Sequence, residues 1–290
     1  MIENSDALNL LFATDLSSRC DRALDRAVQL AQSWEAKLLV VHAVDPAYAV
    51  RYAKIIQDDL PSWRRPEDYR TVAARRLSMD LAIDKIDAEV YVAEGIPHEI
   101  VIEAVRRKNS NLVITGLGRD EVLARTQFGS TLDKLLQELP IPLMIVRRRV
   151  RGPYRHVVVA TDFSPASQPA LETAMRWFSN TQLTLFHAYE GVGLGGGTLA
   201  NEAWSKIAND QCDSFLARMA LDPIDVQRID RVIEKGHPEV LLNDYVSHKE
   251  IDLVVLGTNG RSGFLKSMLG STAENLLHLL ECDTMVVRSQ

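Results

Sequence analysis

The same five blocks occur twice in this 290-residue chain, in the same order, and that repetition constrains its fold more than any other feature. Leu11-Phe-Ala-Thr-Asp15-Leu-Ser17 returns as Val158-Val-Ala-Thr-Asp162-Phe-Ser164, and Leu39-Val-Val-His42-Ala43 returns as Thr184-Leu-Phe-His187-Ala188. Asn111-Leu-Val-Ile-Thr-Gly116 matches Asp252-Leu-Val-Val-Leu-Gly257, and Phe128-Gly-Ser-Thr131 matches Leu269-Gly-Ser-Thr272. Pro142-Leu-Met-Ile-Val-Arg147 then matches Asp283-Thr-Met-Val-Val-Arg288. Two halves with one plan imply two copies of one domain. Between them stands the basic run Arg147-Arg-Arg-Val-Arg-Gly152-Pro153, which lacks apolar periodicity and reads as a solvated linker. The expected domains are residues 1–150 and 151–290, each large enough to bury its own core.

Within each half, continuous apolar runs rich in β-branched residues alternate with longer helical patterns. That is the signature of an α/β fold, a doubly wound parallel sheet covered on both faces. Strands are expected near 8–14, 36–43, 87–93, 111–116 and 142–147, with helices near 19–34, 66–85, 97–108 and 129–138. In the second half the strands fall near 155–161, 181–188, 226–233, 251–256 and 283–288. Ser164-Pro165 reads as a capping hydroxyl followed by proline at the first helical position. Right-handed crossovers place ligands outside the carboxyl ends of the strands, where the strand order reverses.

Composition narrows the partners. With 33 basic and 39 acidic residues the net charge is −6, and no basic segment is long enough to track a nucleic-acid backbone. No apolar stretch approaches the roughly 20 residues that span a bilayer, and the N-terminus lacks a signal-peptide pattern, so the expected location is cytoplasmic. Cys20, Cys212 and Cys282 show neither metal spacing nor a disulfide framework, and free thiols are expected.

The chemistry concentrates where strand hands over to helix. Gly257-Thr-Asn-Gly260, followed by Gly270-Ser271-Thr272, would turn backbone N–H groups toward a phosphate at a helix N-terminus, with glycine permitting positive φ and close approach. The plainer alternative makes Ser271 an N-cap with Glu274 completing a capping box. Asp162, just past the first strand of the second half, is suited to ribose hydroxyls or an exocyclic amine. Equally, it reads as an Asx turn at the Thr161–Ser164 corner. The backbone at Ala188 offers a donor and an acceptor to a base edge. Arg261, Ser262 and Lys266 supply positive charge and a hydroxyl to a polyphosphate. In the first half Arg119 replaces the second glycine and Asp120 and Glu121 follow it, so that site is expected to be degenerate, with Gly118 as partial compensation. His42 and His187 read as inward-facing packing residues. Gly191 to Gly197 reads as a flexible connector, and the chain has no Gly-x-x-x-x-Gly-Lys loop and no nucleophile elbow.

With Asp162 and Gly257-x2-Gly260-x9-Gly270-Ser271 in view, both halves resemble the universal stress protein family in tandem, within the adenine nucleotide alpha hydrolase-like superfamily. The turns Glu94-Gly-Ile-Pro97 and Gly236-His-Pro238 resemble the family as well. The resemblance implies five-stranded sheets of order 3-2-1-4-5. It also implies pairing of the two halves through their last strands as an intramolecular pseudo-dimer, leaving a homodimer open. In that family the glycine pattern marks ATP-binding members. Carried over, Asp162 and Ala188 would hold ribose and adenine, and Gly257, Gly260, Arg261, Gly270, Ser271 and Thr272 would hold ribose and phosphates. Asp15, Ala43, Gly116, Gly129, Ser130 and Thr131 keep the outline of a first, degenerate site.

A phosphate cradle without an evident general base or paired carboxylates for Mg²⁺ points to a regulatory ATP-binding stress protein, a sensor with no assigned catalytic or metal residues. The ligand expected is ATP, with or without Mg²⁺. The alternatives are a slow ATP hydrolase or adenylate-transferring enzyme, and a nucleotide-free scaffold for another small ligand.

Overall fold

The computed structural model describes residues 8–58, 67–83, 86, 88–117, 129–190, 198–219, 221–258 and 269–288. The chain divides into two compact units, with a boundary between Pro153 and Tyr154. In the first, β1 (Asn9–Thr14), β2 (Lys37–Val44), β3 (Ala88–Glu94), β4 (Leu112–Gly116) and β5 (Leu143–Val146) alternate with helices. These are α1 (Ser18–Ser33), α2 (Pro46–Asp58), α3 (Tyr69–Ile83), α4 (Pro97–Lys108) and α5 (Ser130–Glu138). In the second, the strands are β6 (His156–Ala160), β7 (Gln182–Tyr189), β8 (Ile229–Lys235), β9 (Leu253–Gly257) and β10 (Asp283–Val287). Its helices are a 3₁₀ turn (Pro165–Ser167), α6 (Gln168–Trp177), α7 (Thr198–Arg218), α8 (Pro223–Gln227), α9 (Pro238–His248) and α10 (Ser271–Leu279).

The strand order is β3-β2-β1-β4-β5 in the first unit and β8-β7-β6-β9-β10 in the second, the 3-2-1-4-5 arrangement in both. The pairings are parallel and their registers repeat: Leu11 faces Leu39 and Val113, and its counterpart Val158 faces Thr184 and Val254. Central strands are buried on both faces, as the continuous apolar runs require, with Leu10 to Phe12, Val157 to Val159 and Leu253 to Val255 almost fully enclosed. The edge strands β3 and β8 are only partly covered and carry charge, from Glu89 and Glu94 to Asp230, Arg231, Glu234 and Lys235. Such charges oppose further strand addition. Helix α1 shows the matching logic on the sheet's face: Ala23, Ala27, Leu30 and Ala31 fall on one stripe and are buried. Pro97 starts α4, and Asn109, at φ 49°, ends it behind the basic last turn Arg106-Arg107-Lys108.

Several local expectations need correction. Helix α2 occupies a stretch with no expected element. Asp45 accepts the Ala47 N–H at 2.8 Å and Pro46 sits in the first turn, so the strand runs into a helix without a loop of turn residues. Strand β8 begins at Ile229, later than expected, because Asp222 accepts the Ile224 N–H and caps the short helix α8 first. The Ser164 hydroxyl does not cap. Pro165 does open the turn, but the Ser164 oxygen is buried without a hydrogen-bond partner among the described residues. The basic junction is not wholly solvated either. Arg147 is buried, its carbonyl accepts from Arg22 at 3.0 Å, and Arg26 donates to the Gly152 carbonyl at 2.9 Å, so α1 holds this segment down. Arg149 and Arg151 alone among its described arginines are exposed.

Cys20, Cys212 and Cys282 are free and buried. Among the described residues no helix is long and apolar enough to cross a membrane.

Candidate functional site

The second unit contains a cavity of about 330 Å³ at the carboxyl ends of β6, β7 and β9, where the strand order reverses. Asp162, Ala188, Gly257, Gly270, Ser271 and Thr272 all line it. Six residues picked from four separate sequence blocks therefore share one wall-to-wall space. Gly260, Arg261, Ser262 and Lys266 lie outside the described residues, as do Gly118, Arg119, Asp120 and Glu121 in the first unit and the connector 191–197.

Each wall has a local cause. Two helices begin at the cavity, α9 at Pro238 and α10 at Ser271, and neither has a side-chain cap. Their first-turn amides and the positive ends of their dipoles favour an anion. The capping-box alternative for Ser271 is therefore wrong: Gly270 is the N-cap, Ser271 is the first helical residue, and the Glu274 N–H bonds the Gly270 carbonyl at 2.9 Å. The rationale for glycine at 270 also changes. Its φ is −64°, a value open to any residue, and an added Cβ would meet only the Thr258 carbonyl at an ordinary 3.5 Å. Its N–H donates to that same carbonyl at 2.8 Å, which fastens the helix start to the end of β9.

Positive φ occurs elsewhere. Gly236 stands at φ 148°, where a Cβ would sit 3.0 Å from Leu241 Cδ1, and this turn delivers Pro238 and Leu242 to the cavity.

The Asx-turn reading of Asp162 is correct as far as it goes: its Oδ1 accepts the Ser164 N–H at 3.0 Å, and Thr161 Oγ1 accepts the Phe163 N–H at 2.9 Å. The residue also faces the cavity, so the turn and the site are one device. His187 is buried as a packing residue would be, yet it lines the cavity too.

A family model for the Universal stress protein family matches residues 8–147 and again 153–288. The chain belongs to that family. It is 25% identical over 306 residues to Universal stress protein E of Escherichia coli K12, spanning 97% of this chain and 93% of that protein. A universal stress protein of Mycolicibacterium smegmatis is 22% identical, with 99% of both chains covered. Among solved structures, a universal stress protein from Archaeoglobus fulgidus shares the fold with a TM-score of 0.66 at 17% identity, covering 97% of this chain and 98% of that one.

In the first universal stress domain the equivalent positions fall on equivalent elements. Asp15 follows β1, Ala43 lies in β2, Gly116 ends β4, Gly129 is the N-cap of α5, and Ser130 and Thr131 begin that helix. Asp15 Oδ1 accepts the Ser17 N–H at 2.9 Å, the Ser17 hydroxyl at 2.5 Å and the Cys20 thiol at 3.2 Å. Burial, with Asp15 close by, pushes that thiol up to about 11. His42 is held below the usual histidine range by burial.

Besides the polar Ser167 and Thr258, the residues missed in sequence belong to the apolar half of the cavity: Ala160, Phe186, Leu242, Leu256 and Leu276. Each of these five sits in a strand or helix pattern that core packing alone explains, so the pattern carries no separate signal. Pro238 did carry one, the Gly-x-Pro turn found in both halves.

Proposed function

We propose that this protein is an ATP-binding regulatory protein of the stress response, holding the nucleotide in the cavity of its second domain. The observation behind it is the convergence of Asp162, Ala188, Gly257, Gly270, Ser271 and Thr272 on one cavity of about 330 Å³. That volume is near the lower end of the roughly 300–1,000 Å³ of ligand pockets and suits one nucleoside with its phosphates leading out. The apolar wall of Phe186, Leu256 and Leu276 would take the base, Asp162 the ribose, and the first turn of α10 the phosphates. Gly260 and Arg261 complete the phosphate contacts in this reading. Mg²⁺, where it accompanies the nucleotide, would be held chiefly by phosphate oxygens and water. Bound nucleotide would bridge α9, α10 and the end of β6, and that ordering is the signal a partner would read.

Equilibrium dialysis with labelled ATP, wild type against Gly270→Glu, tests the site. The variant backbone is unstrained at φ −64°, so folding is preserved while a carboxylate enters the phosphate position. Binding weaker by at least about tenfold is expected from the repulsion. Equal binding by both proteins rejects the assignment.

A further inference from the structure

The corner that carries Asp162 has the same unusual backbone as its counterpart in the first domain. Phe163 and Leu16 both stand at φ 61°, in the left-handed region that bulky residues avoid. Such a conformation persists only where surrounding bonds over-determine it. In each domain two of those bonds are local: Thr161 Oγ1 accepts the Phe163 N–H and Asp162 Oδ1 the Ser164 N–H, as Thr14 Oγ1 accepts the Leu16 N–H at 3.0 Å and Asp15 Oδ1 the Ser17 N–H. The third comes from the neighbouring strand. His187 Nδ1 lies 2.8 Å from the Thr161 carbonyl, and His42 Nδ1 lies 2.9 Å from the Thr14 carbonyl. A carbonyl oxygen only accepts, so each ring carries its proton on Nδ1. Each bond fixes the peptide plane that leads into the aspartate, and with it the direction in which that side chain leaves the backbone. Phe163 then packs on the His187 ring at 4.2 Å between centroids, closing the corner from the other side.

We infer that His187 is a positioning residue for ligand binding, acting through the Thr161 carbonyl to aim the Asp162 carboxylate into the cavity. This rests on the nucleotide reading above and specifies how its ribose-binding carboxylate is held.

A double-mutant cycle tests it, with labelled ATP binding and thermal unfolding measured on the full chain. His187→Leu removes the donor, and ATP affinity is expected to fall about tenfold. His187→Asn places an amide N–H near the Nδ1 position and should bind within about twofold of wild type. In an Asp162→Ala background His187→Leu should cause no further loss of affinity, while its effect on the unfolding midpoint persists. Should His187→Leu fail to fold, His187→Gln, whose amide lies one bond beyond the Nδ1 position, replaces it in the cycle. Equal losses with and without Asp162, or no rescue by asparagine, overturn the inference. A wild-type protein that binds no ATP rejects the nucleotide reading itself, an outcome separate from either.

Discussion

The two Thr-Asp corners share a backbone and differ in what their carboxylates do. In the first domain Asp15 Oδ1 gathers the Ser17 amide, the Ser17 hydroxyl and the Cys20 thiol. In the second, Ser167 stands five residues after Asp162, where Cys20 stands after Asp15. Its hydroxyl donates instead to the Ser164 carbonyl at 2.9 Å and pairs with Thr161 Oγ1 at 2.7 Å. The Ser164 hydroxyl, for its part, makes no bond to Asp162. Asp15 is therefore tied to the hydroxyl and thiol that follow it, while Asp162 lines a cavity. Further along, Leu117 and Thr258 close the same strand end, one apolar and one polar, both buried. The lesson is that one motif can carry its carboxylate into different company. The side chains that follow the aspartate set that company.

The largest expected effect concerns the turns before α4 and α9. Gly236→Ala combines φ 148° with a Cβ 3.0 Å from Leu241 Cδ1, and should cost about 3 kcal/mol in chemical denaturation. Gly95→Ala, at φ 146° and 3.3 Å from Ile100 Cδ1, should cost about 2 kcal/mol. Equal costs would show that the two turns are interchangeable and remove this contrast.

Next is the Cys20 thiol, pushed from 9.0 up to about 11. A raised folded-state value keeps the neutral thiol favoured, so its stabilisation is full below pH 9 and lost as pH rises toward 11. Over that window the folded protein should lose about 2 to 3 kcal/mol. Unfolding curves of wild type and Cys20→Ala across pH 8 to 11 check this, because the variant should lack that part of the decline.

Asp162→Ala should weaken ATP binding by about 2 kcal/mol, the loss of hydrogen bonds to a charged group, whereas Asp15→Ala should leave it unchanged. Calorimetric titration of the two variants compares the corners directly, and equal losses would break the distinction between them.

The smallest effect belongs to His42, kept neutral by burial. Its lowered value means that stability is present above pH 6.5 and declines as pH falls below it. Replacing it with phenylalanine should flatten that decline, read as the pH dependence of the unfolding midpoint.

The fold was legible because buried parallel strands need unbroken apolar runs, and Val157 to Val159 or Leu253 to Leu256 have no competing interpretation once the same runs appear twice in order. The site was legible in part because its polar residues stand at strand-to-helix junctions, where chemistry-bearing side chains stand out from the pattern. Its apolar half was hidden for the opposite reason: Leu242 and Leu276 satisfy a helix stripe equally well whether they face a core or a cavity. Ser271 misled because a hydroxyl three residues before a glutamate has the spelling of a capping box. The glycine at 270 shifts the cap by one position. Arg147 misled because charge in a run suggests water, while the bonds from Arg22 and Arg26 to the chain around it are visible only in three dimensions.

The left-handed Leu16 and Phe163 bear on ancestry. Both halves hold the same contorted residue in the same cross-braced corner, although the side chains that follow the aspartate differ. The corner was thus inherited from a single ancestral domain before the copies diverged. Being held by bonds within the scaffold, its shape needs no ligand to maintain it.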